Sequence, residues 1–481
     1  MKVYSFPHGG ILFDDPTAPP REESVLSFLP GLSIVPLAQQ NGCRSLPVVR
    51  PGDTVSEGQL IARGQGSGSA NIYSPVPGAI VANTTWSIAH GVLCNSMVIR
   101  LEGSFALLGK PQTRRSWREL SPFELRGLIS DFGIVDMDGS GAPLTDTISL
   151  YHKIATPVTL VLRLVFDDPW LAADYALCKE RPAAVAEGAL IAAAAACADK
   201  IIIAVSEPEK ELGLALLARL QEELPPPENA GGVPGEGISV TEAALIVVGA
   251  RYPQRNKREL EVVLRQYERT EKVRVGEPLC IGPATSAAVF DAVVLRKPAL
   301  DRYIAVGGSA LRRPRVIRAR IGTRIAQLFE ECGGFITRPK RTAIGSPLLG
   351  RPVFSLDEPV SAASYAVFAV GDEKPGLHQN PRVLDLRSRS RLGEDREKPA
   401  PVPFKRGYAR AKGCIGCGEC RVVCPMKLDP EDLYKQLRVQ KFTGVLAELS
   451  ARCHGCGCCE AVCPSRLPLS RLIINPSGGG S

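Results

Sequence analysis

One cysteine pattern occurs twice near the C-terminal end of this chain and is its most restrictive sequence feature. Each copy reads C-x2-C-x2-C-x3-C-P; the cysteines are Cys414, Cys417, Cys420 and Cys424 in the first copy and Cys453, Cys456, Cys459 and Cys463 in the second. Three thiolates two residues apart can ligate one iron–sulfur cube from a single tight loop, and intervening glycines let the backbone turn without a Cβ clash. The pattern predicts two [4Fe–4S] clusters.

The spacing matches that of bacterial ferredoxins with two [4Fe–4S] clusters, in which the fourth cysteine of each copy ligates the other cluster. We therefore assign the ligands across the two copies: Cys414, Cys417, Cys420 and Cys463 to cluster 1, and Cys453, Cys456, Cys459 and Cys424 to cluster 2. Cys458 is a spare thiol. We interpret His454, inside the second copy, as a residue that tunes or shields cluster 2 rather than as a ligand.

Structural zinc and disulfide bonds are the alternatives for these cysteines. Zinc sites usually use two separated pairs of cysteines, not runs of three with a fourth before proline. Disulfides do not form easily between cysteines so close in sequence in a chain that shows no secretory signal. Both alternatives fit the pattern less well than two cubane clusters.

Length and composition indicate a globular chain of several domains, since 481 residues accommodate roughly three or four of typical size. No apolar run reaches about 18 residues and the N-terminus lacks a signal-peptide core, so we expect a cytoplasmic location and no membrane span. The net charge is +8, but residues 405–471 alone contain twelve Lys and Arg against six Asp and Glu. Anionic clusters would offset this local excess, so the charge does not indicate a nucleic-acid partner.

The sequence predicts a multidomain chain of α/β and α+β parts. Residues 31–105 contain short β-type runs and V-x-x-G-D-x-V-x-x-G-Q-x-I, which resembles the hammerhead β-sandwich of biotinyl and lipoyl carriers but lacks their lysine. Residues 106–274 alternate apolar runs with helical segments, which is typical of a Rossmann-like parallel α/β domain. The other predicted parts are an N-terminal arm (1–30), a small α+β module (275–345), a connector (346–405) and a ferredoxin-like domain (406–475).

The order of these parts resembles the C subunit of the Rnf-type ion-translocating electron-transport complex. The shared motifs are G-G-I at Gly9–Ile11, V-P-L-A-Q-Q-N-G at 35–42, Y-P-Q at 252–254, I-G-T at 321–323 and the paired cysteine patterns. The cobalamin-reductase-like protein of propanediol utilisation and the flavoprotein subunit of NADH dehydrogenase are similar too. The resemblance implies a flavin and NADH site in the Rossmann-like domain and a soluble-ligand-binding β-grasp module over 275–345. It also implies peripheral docking to integral membrane and redox subunits on the cytoplasmic side of the inner membrane.

The family's flavin loop, G-x-G-G-A-G-F-P-T, is altered in this chain. The aligned stretch is D-M-D-G-S-G-A-P-L-T, in which Asp136 and Asp138 stand where glycines are expected. Gly139, Gly141 and Pro143 remain, and the resemblance implies them as flavin-binding residues. Two carboxylates facing a phosphate would repel it, and the lost glycines would block its close approach.

Three further stretches of the same pocket depart from the family's pattern. N-x-x-E-C-E-P is here R-L-V-F-D-D-P-W, with Arg163 and Phe166 in place of an amide and a carboxylate. The glycine expected after Y-P-Q is missing, and Arg255 follows Gln254 instead. N-V-G-T-A has become I-G-P-A-T at 281–285. We therefore expect no tight binding of FMN or NADH by this chain.

The leading functional hypothesis is an iron–sulfur electron-transfer subunit of a membrane-associated, ion-translocating oxidoreductase complex. One alternative is a flavin-dependent NADH dehydrogenase in its own right, with NADH or another soluble donor as its partner. Another is a non-catalytic scaffold or sensor whose clusters hold the C-terminal fold together. A nucleic-acid-binding protein is not indicated, because the sequence has no helix-turn-helix pattern and no interleaving of aromatic and basic residues.

Overall fold

The computed structural model describes residues 1–38, 45–88, 92–138, 140–151, 157–224, 240–371, 382–384, 401–403, 412–439 and 444–474. Within these ranges the strands are β1 (Val3–Tyr4), β2 (Leu12–Asp14), β3 (Ser24–Leu26), β4 (Leu32–Pro36), β5 (Leu46–Pro47), β6 (Thr54–Val55), β7 (Leu60–Arg63), β8 (Ile72–Tyr73), β9 (Gly78–Ile88), β10 (Val92–Leu101), β11 (Val158–Leu164), β12 (Lys200–Ser206), β13 (Glu242–Val248), β14 (Glu277–Ile281), β15 (Asp301–Gly307), β16 (Arg315–Arg320), β17 (Arg341–Ile344), β18 (Arg351–Pro352), β19 (Ala366–Val370), β20 (Arg382–Leu384) and β21 (Pro401–Pro403).

The helices in the same ranges are α1 (Pro122–Asp131), α2 (Leu144–Tyr151), α3 (Ala172–Glu180), α4 (Pro182–Ala195), α5 (Lys210–Glu223), α6 (Lys257–Glu271), α7 (Pro283–Val293), α8 (Ile325–Glu331), α9 (Glu419–Val422), α10 (Pro430–Val439), α11 (Val445–Ala451), α12 (Cys458–Val462) and α13 (Leu469–Ile474). None of the helices that the structure describes combines the length and the apolar character of a membrane span.

Five parallel strands form the sheet at the centre of the α/β part, in the order β1-β13-β12-β11-β14. β11 and β12 are buried at almost every position because helices cover both faces of the sheet, which explains their uninterrupted apolar runs. The predicted multidomain α/β class is confirmed. The edge strand β1 comes from the N-terminal arm and pairs Val3 with Val247, which is far away in the sequence.

Helices α4 and α7 pack against each other on one face of this sheet. α4 is buried on nearly all sides, which is why its sequence is mostly alanine. A Cβ on Gly188 in α4 would lie 1.9 Å from the backbone oxygen of Ser286 in α7, so only glycine permits this approach. The close packing holds the N-terminus of α7 directly after β14, at the carboxyl edge of the parallel sheet, where open α/β sheets bind their ligands.

Two smaller sheets share one core in the region predicted as a hammerhead. A four-stranded antiparallel sheet has the order β4-β10-β9-β6, and a three-stranded sheet has the order β5-β7-β8. Their apolar side chains, including Val35, Ile61, Ile80 and Met97, are completely or almost completely buried together.

A six-stranded sheet with the order β18-β17-β19-β15-β16-β3 forms the next part, together with α8. β18 and β19 lie in the predicted connector, so the sheet continues past residue 345. The reason is that Ala366–Val370 is buried at every position and pairs with both β15 and β17. The arm contributes the edge strand β3, and β2 pairs with β20. Residues 372–381, 385–400 and 404–405 of the connector lie outside the described residues.

The C-terminal part consists of the short helices α9 to α13 and repeats one arrangement. Gly418 precedes α9 with φ +70°, and Gly457 precedes α12 with φ +78°. These left-handed conformations favour glycine and let each cysteine loop turn sharply into its helix. The two cysteine copies therefore have the same local structure.

Candidate metal centres and the glycine-loop pocket

The four cysteines assigned to cluster 1 line one cavity. Cys414 and Cys417 come from the loop before α9, Cys420 lies in α9, and Cys463 follows α12. A cysteine of the other copy thus lines the same cavity, and its role as the fourth ligand stays a prediction. Four soft sulfur donors around one apolar cavity fit a [4Fe–4S] cluster.

The four cysteines assigned to cluster 2 are also close neighbours. Burial raises the pKa of the Cys453 thiol to about 11, with smaller contributions from Cys456 and Cys424. Burial likewise raises the pKa of Cys459 well above its ordinary value, again with contributions from Cys456, Cys453 and Cys424. Free thiolates are unfavourable in such surroundings, and iron would supply the compensating positive charge. This donor set therefore fits a second cluster.

A single zinc ion suits these cysteines less well than a cluster does. Structural zinc requires four ligand atoms at about 2.0–2.3 Å from one point. In the part of the chain that the structure describes, no group of three or more His, Cys, Asp or Glu side chains is arranged to hold one ion. The sulfurs of a cubane site surround a four-iron cluster, which is larger than one ion, and this agrees with a cavity that four cysteines line together.

The two sets of cysteines differ in exposure. Cys414 and Cys417 are exposed, and Ile415 between them is 69% exposed. In the second set Cys424, Cys456 and Cys459 are buried and Cys453 is half-buried. The cluster 1 cavity therefore opens towards the surface, and the cluster 2 site lies inside the molecule.

Cluster 2 is buried because several parts of the chain converge on it. The amide of Gly10 donates to the carbonyl oxygen of Val423 at 2.9 Å, and a Cβ on Gly9 would lie 2.6 Å from the backbone of Cys424. The hydroxyl of Tyr252 donates to the carbonyl oxygen of Cys456 at 2.7 Å. The G-G-I and Y-P-Q motifs therefore support the cysteine loops, a role that sequence reasoning did not assign to them.

The six-stranded sheet domain also reaches this site. A Cβ on Gly457 would lie 2.9 Å from the carbonyl oxygen of Leu348. The arm, the α/β part and the six-stranded sheet part therefore all touch the cluster 2 loops, whereas the cluster 1 cavity is lined by residues 414–469 alone.

His454 and Cys458 surround Cys456. The Nδ1 atom of His454 is 2.9 Å from Nδ2 of Asn256, and its Nε2 atom is 3.1 Å from Oε1 of Glu259. These contacts place the imidazole over the loop, and the predicted shielding role stays a prediction. Cys458 is completely buried. Its hydrogen bond, together with the hydrogen bond and charge of His454, lowers the pKa of the Cys456 thiol to about 5 despite burial. The spare thiol thus packs in the main core beside a predicted ligand.

The glycine loop of the predicted flavin site is closed on itself. The amide of Gly141, which has φ +65°, donates to the carbonyl oxygen of Asp136 at 2.9 Å, and Pro143 pairs with Val135 in an isolated bridge. Gly139 lies outside the described residues. Gly141 and Pro143 therefore form a tight hairpin.

The carboxylate of Asp136 belongs to this hairpin. It accepts hydrogen bonds from the amide of Ser140 at 3.1 Å and from its hydroxyl at 2.8 Å. Burial alone would raise the pKa of Asp136, but the charge of Arg163 and the bonds from Ser140 lower it on balance. Asp136 is thus an ionised residue that stabilises its own loop.

Asp138 occupies the N-terminus of α7. Its side chain has no solvent exposure, and Oδ2 accepts from the amide of Gly282 at 2.9 Å and from the hydroxyl of Thr285 at 2.5 Å. The same Thr285 hydroxyl oxygen accepts from the amide of Met137 at 2.9 Å. Asp138 is therefore a buried residue that caps this helix.

Two arginines lie among the acidic side chains around Asp138. Arg255 lies 3.5 Å from Asp138 and 3.1 Å from Asp174, and its amide donates to Asp167 at 2.9 Å. Arg302 is buried and donates to the carbonyl oxygen of Met137 at 2.9 Å, with Asp174 at 3.7 Å. Asp174 and Arg302 were not singled out from the sequence, because nothing local distinguishes them from structural charges.

The pocket contains more acids than these arginines can neutralise. Burial raises the pKa of Asp167 to about 7 and the pKa of Asp168 to about 6. Burial also raises the pKa of Asp174, and nearby Asp138 adds to the effect. The residues present do not fit a nucleotide phosphate, since a buried carboxylate already holds the helix N-terminus and acids surround it.

Four family models match consecutive parts of the chain. They are the RnfC barrel sandwich hybrid domain over residues 7–104, the Nuo51 FMN-binding domain over 129–286, the SLBB domain over 303–351 and the 4Fe-4S dicluster domain over 413–467. The match over 129–286 concerns the domain, and the side chains described above disagree with flavin binding.

Curated relatives cover most of the chain. The C subunit of the proton-translocating ferredoxin:NAD(+) oxidoreductase complex of Clostridium ljungdahlii is 27% identical over 85% of this chain and 81% of its own length. The C subunit of the ion-translocating oxidoreductase complex of Rhodobacter capsulatus is 27% identical over 86% of this chain and 72% of its own length. Among solved structures, a chain of an NAD+-reducing [NiFe]-hydrogenase in the H2-reduced state is 16% identical with a TM-score of 0.43, covering 53% of this chain and 48% of that chain.

Proposed function

We propose that this chain, which is similar to the C subunit of Rnf-type complexes over most of its length, is the iron–sulfur electron-transfer subunit of an ion-translocating oxidoreductase complex. The observation that carries the proposal is the arrangement of the eight cysteines in two sets, one around a cavity open to the surface and one buried. Clusters bound there would accept and release single electrons.

The chain's own residues would hold and insulate these clusters. Tyr252 and Gly10 fix the backbone of the cluster 2 loops, and the surrounding domains exclude water from the thiolates. Ile415, exposed between two cluster 1 cysteines, would contact a redox partner. We therefore place exchange with a partner protein of the complex at cluster 1 and the interior end of the relay at cluster 2. No side chain is needed as an acid or a base.

The membrane association and the finer fold assignments belong to the same proposal. The relatives named above are subunits of multi-subunit complexes, and the described helices include no membrane span. Peripheral association with a membrane complex agrees with both findings, and we propose that the chain docks to integral membrane subunits on the cytoplasmic side of the inner membrane. The hammerhead and β-grasp assignments agree with the positions of the barrel sandwich hybrid and SLBB matches.

The test is anaerobic purification, with iron, sulfide and flavin quantified on one sample and followed by reduction with dithionite and with NADH. We expect roughly eight irons per chain, spectra that respond to dithionite, and no response to NADH. Zinc in place of iron would contradict the proposal. Clusters that dithionite cannot reduce without unfolding would favour a scaffold. One flavin per chain with NADH-driven bleaching would favour an NADH dehydrogenase.

A further inference from the structure

In the folded chain the altered glycine loop lies next to the other three stretches that depart from the flavin-binding pattern. Asp138, which replaces a glycine of the loop, contacts Arg255, which replaces the glycine after Y-P-Q. Asp138 also accepts hydrogen bonds from Gly282 and Thr285 of the altered I-G-P-A-T segment. Asp136, which replaces the other glycine, is stabilised by Arg163 of the altered acidic stretch. The departures therefore act on one another: Asp138 contacts two of the other altered stretches directly, and the charge of Arg163 acts on Asp136.

The N-terminus of α7 is the part of this pocket best suited to an anion. The first amides of a helix have no partner within the helix and carry a partial positive charge, so they bind phosphate groups readily. Here the amide of Gly282 and the hydroxyl of Thr285 both donate to Oδ2 of Asp138. The amide of Thr285 donates to the same oxygen at 3.4 Å, and Pro283 has no amide hydrogen, so three of the donors that could bind a phosphate in this position are already used.

The space at the N-terminus of α7 is also restricted. A Cβ placed on Gly282 would lie 2.2 Å from Cγ of Asp138, so the carboxyl group touches the backbone of the helix start. Gly282 has φ −102°, which any residue can adopt, so this contact and not backbone strain requires glycine. The position next to the helix is filled.

We infer that the carboxylate of Asp138 is an internal substitute for the anionic group of a nucleotide, so that this domain closes its own flavin-type pocket and binds neither FMN nor NADH there. Arg255 lies between this internal anion and Asp174, at 3.5 Å and 3.1 Å from their carboxylate oxygens. The filled pocket lies close to the cluster 2 loops, because Tyr252, three residues before Arg255, holds the backbone of Cys456. The inference goes beyond the proposed electron-transfer function: electrons must then reach the cysteines from a protein redox partner and not from a nicotinamide nucleotide in this pocket.

The experiment uses the full chain with its clusters and measures thermal unfolding alone and with FMN, riboflavin or inorganic phosphate. For the natural chain we expect no change in Tm with any of the three probes. For Asp138→Ala we expect a Tm lower by several degrees and a partial recovery with phosphate, because the vacated helix N-terminus then accepts an external anion. Asp136→Ala is the matched control, since it removes the same charge from the same loop but faces Ser140. It is expected to lose stability without recovery by phosphate.

Stabilisation of the natural chain by FMN, or one flavin per purified chain, would overturn the inference. It would also be overturned if phosphate raised the Tm of Asp138→Ala and Asp136→Ala equally, or raised the Tm of neither variant. If Asp138→Ala does not fold, Asp138→Asn replaces it, because the amide oxygen can still accept from Gly282. This variant keeps the pocket filled and should bind no FMN; binding would show that the space is free. Iron and sulfide content, measured on the same samples, reports on the electron-transfer proposal separately.

Discussion

The cysteine loops and the glycine loop are the two regions where this chain resembles a cofactor-binding family, and their structures differ sharply. In the cysteine loops, the members of each predicted set of four donors are close neighbours, and one set lines a cavity. In the glycine loop, the corresponding space holds the chain's own Asp138 and its neutralising Arg255. The cysteine loops therefore offer ligand atoms and space for a cofactor, whereas the glycine loop offers neither free hydrogen-bond donors nor space.

The difference shows what each kind of site needs from the sequence. A cluster site depends on the number and spacing of thiolates, which two short motifs supply almost alone. A nucleotide site requires backbone amides at a helix N-terminus that have no partner within the protein. It also requires that no side chain occupies the position of the phosphate. A domain can therefore keep its overall sheet while one carboxylate removes the ligand position.

The largest expected effect comes from the predicted ligands of the buried site. Cys459→Ala should lower the iron content from roughly eight to roughly four per chain, because cluster 2 loses one of four thiolates. It should also lower Tm more than Cys417→Ala does, since three other parts of the chain pack on the cluster 2 loops. Cys458→Ala is the matched control and should keep its iron. Full iron content in Cys459→Ala would contradict the proposed difference between the cysteine loops, which hold a cofactor, and the glycine loop, which does not.

A smaller effect is expected at the start of α7. Gly282→Ala should cost roughly 1–3 kcal/mol of unfolding free energy, because the new methyl group meets the carboxyl group of Asp138. In an Asp138→Ala background the same change should cost much less, which a double-mutant cycle in chemical denaturation measures. Gly127→Ala in α1 is the control, since a Cβ there meets nothing within 4 Å. Additive costs would mean that Asp138 does not fill this position.

The smallest expected effect is a pH dependence of the acid-rich pocket. Burial raises the pKa of Asp167 from 3.8 to about 7, so the folded chain binds a proton more readily than the unfolded chain. Stability should therefore fall as pH rises from 6 to 8, by about 1 kcal/mol from this group. Unfolding midpoints at the two pH values, compared with those of Asp167→Asn, isolate the contribution. An identical pH dependence in the variant would show that Asp167 is ionised throughout this range.

Several parts of the fold could be predicted because their signals are local. The apolar runs of β11 and β12 indicate strands covered on both faces, and the alanines of α4 indicate a helix buried on all sides. The arm is different, since β1 and β3 are short strands at the edges of sheets whose other strands lie far away in sequence. No local pattern signals such a strand, because its partners appear only after folding.

The sequence by itself predicted the cysteine donors, and it determined the α/β class and the positions at which the glycine loop departs from the flavin-loop pattern. Those properties follow from residue type and spacing, which act over a few residues. Only the tertiary structure decided that Asp138 and Arg255 meet, that α7 is the helix they close, and that one cysteine set is buried. The physical reason is that contacts between residues far apart in sequence depend on how whole elements pack, as Gly188 against Ser286 sets the position of α7.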